Sequence, residues 1–129
     1  MQNQTKSDER VFQMADWAGV KEALNSRYVT DFGMNLLAGA DGFAASVDVG
    51  GKKEVILIFN DDPFISISGI IGNVSDYNIN DLLAKMDLFG LRIAADNLVL
   101  SHWTVLETID VPELVYPIEL MAKRLASLR

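Results

Sequence analysis

Residues 43–59 read Phe-Ala-Ala-Ser-Val-Asp-Val-Gly-Gly-Lys-Lys-Glu-Val-Ile-Leu-Ile-Phe. Phe43, Ala45, Val47 and Val49 alternate with Ala44, Ser46 and Asp48, the period of two that sends successive side chains to opposite faces of a strand. Gly50-Gly51 then supplies two residues that take positive φ without a Cβ penalty, as both central positions of a two-residue hairpin require. Residues 52–59 form the return strand. Outward from this hairpin, Asn60-Asp61-Asp62-Pro63 is a second turn, and residues 64–71 are a further β-rich run with Ser66 and Ser68 interleaved. The centre of the chain therefore predicts an antiparallel meander.

On the N-terminal side, Phe32, Met34 and Leu36 share one parity and lead into a turn at Gly39-Ala40-Asp41-Gly42, so a strand-like stretch precedes the meander. Before it, Ser7 can cap a helix whose first turn carries Asp8 and Glu9, where carboxylates meet the positive end of the helix dipole. The spacing of Val11, Met14 and Ala18, with Trp17, Val20 and Leu24 beside them, predicts a helix over 8–26. Gly19 marks the place where it would break.

On the C-terminal side, Asn78 or Asn80 can cap a short helix bearing Leu82, Leu83, Met86 and Phe89, with Gly90 placed to end it in a left-handed conformation. Residues 91–94, a turn at Asp96-Asn97 and residues 98–109 then read as one more hairpin. Asp110-Val111-Pro112-Glu113 combines an acidic cap, a proline in the first turn and a glutamate at the third helical position. A final helix follows to the C-terminus, with Leu114, Ile118, Met121, Leu125 and Leu128 in a single stripe. The expectation is one α+β domain over 1–129: an antiparallel sheet of about five to six strands with an N-terminal helix, a short middle helix and a long C-terminal helix.

Composition narrows the function. The chain has 129 residues, 50% hydrophobic and 22% charged, which suits one globular domain with a core of its own. It has no cysteine and a single histidine, His102, so disulfides, thiol catalysis and multi-histidine zinc centres are outside its means. A net charge of −7 repels phosphate backbones and anionic lipid, which argues against nucleic acid or membrane as a partner. Residues 1–6 lack the apolar core of an export signal, and the longest apolar run is far short of the ~20 residues of a membrane helix, so a cytoplasmic location is expected.

No catalytic constellation is legible. Serines and aspartates are present, but no Gly-x-Ser-x-Gly elbow places a nucleophile, and His102 beside Trp103 reads as an ordinary sheet histidine. Asp61 and Asp62, with Asp41 or Asp48, offer oxygen ligands, yet Asn-Asp-Asp-Pro is also what a turn wants and no calcium-loop spacing accompanies it. Gly50-Gly51 followed by Lys52-Lys53 lacks the fingerprint of a phosphate loop. The expectation is a non-enzyme without cofactor or metal. Leu82, Leu83, Met86 and Phe89 crowd more apolar surface into one short element than one face can hide; burial in the core is the favoured reading, a subunit interface is the alternative, and with Trp103 they are the candidate dimer or partner surface.

The order of elements resembles that of the small acidic chaperones of bacterial type III secretion, the Tir-chaperone family, and the related YbjN-like proteins. The likeness is carried by residues 80–89, by Leu91-Arg92-Ile93-Ala94-Ala95-Asp96-Asn97-Leu98-Val99-Leu100, and by Thr108-Ile109-Asp110-Val111-Pro112-Glu113-Leu114. The resemblance implies a homodimer that binds an extended segment of a partner polypeptide and has no catalytic residues. The YbjN-like branch implies instead a regulatory or structural protein of the same fold acting through its dimer surface.

Overall fold

The structure is a computed structural model and describes residues 16–31, 41–86 and 88–128. Among the described residues it is an α+β fold of three α-helices and one six-stranded antiparallel sheet. In chain order the elements are α1 (Trp17–Asn25), β1 (Val29–Asp31), β2 (Gly42–Val49), β3 (Lys52–Asp61) and β4 (Phe64–Asn73). These are followed by α2 (Ile79–Leu83), β5 (Gly90–Ala94), β6 (Asn97–Val105) and α3 (Val111–Leu128), with short 3-10 turns at Val74–Asp76 and Leu106–Thr108.

The central hairpin forms as its sequence dictates. β2 pairs with β3 from Gly42↔Phe59 to Val49↔Lys52, and Gly50 and Gly51 take φ of 58° and 85°. β3 continues through Asp61, two residues further than its apolar run, and the chain reverses at Asp62-Pro63, a cis peptide bond. β4 pairs back onto β3 and carries a bulge between Ile70 and Gly72. The last hairpin turns at Ala95 and Asp96, both at positive φ, one residue earlier than the expected Asp96-Asn97. Sheet order is β1-β2-β3-β4-β6-β5, so β6 is inserted between its own hairpin partner and the meander.

Three expected boundaries move. The helix expected over 8–26 begins at Trp17, because Asp16 is extended and its carboxylate accepts a 2.7 Å hydrogen bond from the Gly19 N–H. Asp16 is therefore the cap, and Gly19 lies in the first turn, where a helix N–H needs an outside partner in any case. The Ser7 cap and residues 8–15 lie outside the described residues, as do Phe32, Met34, Leu36 and the first half of the turn expected after them, Gly39-Ala40. The middle helix is capped by Asn78, which accepts from the Asp81 N–H, and spans only five residues. Gly90 does not close it: Gly90 is already the first residue of β5 and is not among the positive-φ glycines. The strand expected over 98–109 ends at Val105, where the Leu106 N–H is drawn to the Pro63 carbonyl and the chain tightens into a 3-10 turn.

The three described helices lie on one face of the sheet. Phe43, Ala45 and Val47 of β2, Ile56 and Ile58 of β3, Ile65 and Ile67 of β4, and Leu98 and Leu100 of β6 point into this core. α3 covers them with Leu114, Ile118, Met121 and Leu125, all fully buried, and Leu128 packs at the margin. Each such side chain contributes at most ~1.5–3 kcal/mol, enough in sum to hold the helix on the sheet. Asp110 caps α3 as expected, its carboxylate accepting from the Glu113 N–H at 2.8 Å. α1 packs beside it through Val20 and Leu24, and the Trp17 ring meets Phe43 at 5.6 Å between centroids.

Candidate functional site

β6 is longer than the strand that flanks it. β5 pairs with β6 only from Gly90↔Ser101 to Ala94↔Asn97, whereas β6 continues to Val105. Among the described residues, the strand from His102 to Val105 has β4 on one side and no strand on the other. Because backbone groups alternate in direction along a strand, two of these four residues turn their N–H and C=O toward the vacant side. This is a short free edge in the interior of the chain.

A groove of about 570 Å³ runs beside it, lined by Leu88, His102, Trp103, Thr104, Pro112, Glu113, Tyr116 and Pro117. The loop after α2 supplies Leu88, the free edge supplies residues 102–104, and the first two turns of α3 supply the rest. Leu88, Trp103 and Tyr116 are 45%, 47% and 62% exposed, so the groove offers apolar surface to solvent. The His102 ring stands edge-on to Phe89 at 6.2 Å, and its burial lowers the imidazole pKa from the ordinary value, which keeps it neutral. Glu113 is pushed up, first by desolvation and then by the Asp110 carboxylate beside it. The groove thus has apolar walls with few charges, the surface that takes a neutral, extended segment of chain.

The opposite margin of the sheet is organised differently. β1 is three residues long and covers only Ala44, Ala45 and Ser46 of β2. The Tyr28 hydroxyl before it donates to the Glu119 carboxylate of α3 at 2.7 Å, and burial together with that carboxylate raises the hydroxyl pKa. This bond ties the short edge strand to the helix layer.

The five residues singled out from sequence divide between interior and surface. Leu82, Met86 and Phe89 are buried in the chain's own core, at 4%, 9% and 5% exposure, and have no surface to offer. Leu83 and Trp103 remain exposed. The short helix escapes its apolar excess because it is only five residues long: Met86 and Phe89 leave the helix and turn inward as the Phe89 N–H bonds to the Met86 carbonyl. Sequence reading missed Pro112, Tyr116 and Pro117 in the groove; the available signal was an aromatic, Tyr116, standing off the apolar stripe of an amphipathic helix.

The other candidate chemistry disperses. Asp61 accepts from the Trp103 indole N–H at 3.4 Å, and Asp48 accepts from the Gly51 N–H inside its hairpin. Among the described residues no three His, Cys, Asp or Glu side chains converge on a metal position, and no helix is long and apolar enough to cross a membrane. Compared with family models, with curated proteins and with solved structures, the chain matches none.

Proposed function

We propose that this chain is a non-enzymatic, chaperone-like protein-binding module, working as a homodimer in the cytoplasm and holding an extended segment of a partner polypeptide by strand addition. The observation that carries the reading is the free edge of β6 from His102 to Val105 beside an apolar groove. An added strand would satisfy the outward backbone groups, and its alternate side chains would fall against Leu88, Trp103 and Tyr116. The net charge of −7 favours a neutral or basic segment. The type III secretion chaperone resemblance points the same way. The alternative, a YbjN-like regulatory or structural protein acting through its dimer surface, draws support from Val55, Phe64, Ile70 and Val105, half-exposed on the sheet face away from the described helices.

The test has two stages. A pull-down from the native cell identifies a partner, and a synthetic peptide of its bound segment is then followed by hydrogen exchange. Amides at the outer edge of β6 and along the peptide should gain protection, and Leu88→Ala with Tyr116→Ala should weaken binding about tenfold or more. Protection confined to loops, or no captured partner, would shift the balance to the regulator.

A further inference from the structure

The geometry points to a basic side chain, lysine or arginine, as the feature that an extended partner segment inserts between β6 and the first turns of α3. The inference rests on the strand-addition reading above and names the side-chain chemistry that the groove would select.

Register decides which way each partner residue points. His102 and Thr104 pair with Ile67 and Ile65, which face the helix layer, whereas Trp103 and Val105 pair with Ser66 and Phe64 on the other face. A strand added along residues 102–105 inherits this alternation, so two of the four residues it lays there face α3. The helical period sets what they meet. Glu113, Tyr116 and Pro117 stand three and four residues apart, hence as neighbours on one stretch of helix surface, and all three line the groove. A side chain entering from the β6 edge therefore meets an exposed aromatic ring and a carboxylate together.

Charge then selects among side chains. With His102 held neutral, Glu113 carries the formal charge of the groove lining. Asp110 stands beside it: the Asp110 carboxylate accepts from the Glu113 N–H at 2.8 Å and, after desolvation, is what raises the Glu113 carboxyl pKa. The N-terminus of α3 contributes only about half a positive charge against these two carboxylates, so the potential there stays negative. The chain's own cations are placed elsewhere. Arg92 turns to the opposite face and donates from Nε to Ser101 Oγ at 2.8 Å, Lys85 follows α2 without lining the groove, and Lys123 and Arg124 stand roughly 15 Å further along α3.

The complement to this surface is a cation on a long apolar stem. Its methylenes would lie along Tyr116 and Pro117, and its head would reach the Glu113 carboxylate and the face of the Tyr116 ring. A glutamate in the same place would add a third carboxylate, and an uncharged residue would leave the existing pair unrelieved. The rest of the segment stays apolar, since its other residues fall against Leu88, Trp103 and Val105.

Three capped heptapeptides alternating threonine and valine, identical except for lysine, glutamine or glutamate at the centre, test this on the full chain. Binding is followed by NMR titration of the backbone amides up to about millimolar peptide, in about 0.15 M salt to screen long-range attraction. Amides of residues 102–105 should shift, with the lysine peptide binding about fivefold tighter than the glutamine peptide and the glutamate peptide weakest. Glu113→Lys should invert that order. Glu22→Gln, which removes one charge from an exposed position on α1, should leave it unchanged. Should Glu113→Lys lose the folded spectrum, Tyr116→Ala at its exposed position gives a second reading and should cost the lysine peptide most of its advantage. Three peptides bound alike at residues 102–105 would leave strand addition standing and overturn the basic preference. A preference that survives Glu113→Lys, or that falls equally with Glu22→Gln, would belong to the net charge of −7 and not to the groove, which also overturns the inference. No shift at residues 102–105 with any peptide would sink the strand-addition reading and this one with it.

Discussion

Ser68 and Gly69 are neighbours on β4 and live in different worlds. Gly69 faces the helix layer, where a Cβ would come 2.6 Å from Leu125 Cδ1 and 3.2 Å from Met121 Sδ. Ser68 faces the other way, where no described helix approaches and its own hydroxyl goes unpaired. One side of the sheet is packed until only a hydrogen atom fits; the other keeps small residues between half-exposed large ones. The packed side fixes the fold, and on the other Val55, Phe64, Ile70, Trp103 and Val105 stay half-exposed around buried serines.

The difference is open to direct challenge. Leu125→Asp, under α3, should abolish cooperative folding or cost several kcal/mol, since it places an unpaired carboxylate in the core; chemical denaturation followed by circular dichroism measures it. A melting temperature equal to that of the wild type would show that the stripe is not the core. Next in size, Gly69→Ala should cost about 1–3 kcal/mol by overpacking against Leu125 and Met121. The neighbouring change sharpens the contrast. Ser68→Ala removes a buried hydroxyl that has no partner, so monomer stability should hold or rise by up to ~1 kcal/mol, and a loss above that would reveal a hidden hydrogen bond.

The smallest effect is a pH dependence on the packed side. Burial holds the His102 imidazole below its ordinary pKa, so near that value the folded chain binds fewer protons than the unfolded one. The stability this contributes is complete above the ordinary value, about 6.5, and is lost as pH falls through the folded value. His102→Gln should flatten the decline of stability in that window and leave neutral-pH stability nearly unchanged, as urea midpoints measured across the range would show. An unchanged acid slope would assign the decline to other groups.

Much of this was legible because the relevant forces are local. Alternation fixed β2, the two glycines fixed its turn and with it the return strand β3, and Asp110 with the stripe from Leu114 to Leu125 fixed the last helix and its buried side. Each signal concerns residues within a few positions of one another, where backbone sterics and side-chain period decide the outcome. The same logic left the middle helix open between core and interface. An apolar cluster predicts burial without naming its partner, and the chain's own sheet took Leu82, Met86 and Phe89 before any second molecule was needed.

What the sequence determined by itself was the set of elements, their turns and the apolar side of the long helix. The tertiary structure alone decided that β6 enters between β4 and β5 and outruns β5, leaving an edge from His102 to Val105. It also decided that the described helices settle on one face, so that Ser68 lies on the other. Strand order and sidedness depend on contacts between residues far apart in the chain, whose closure no short-range pattern records.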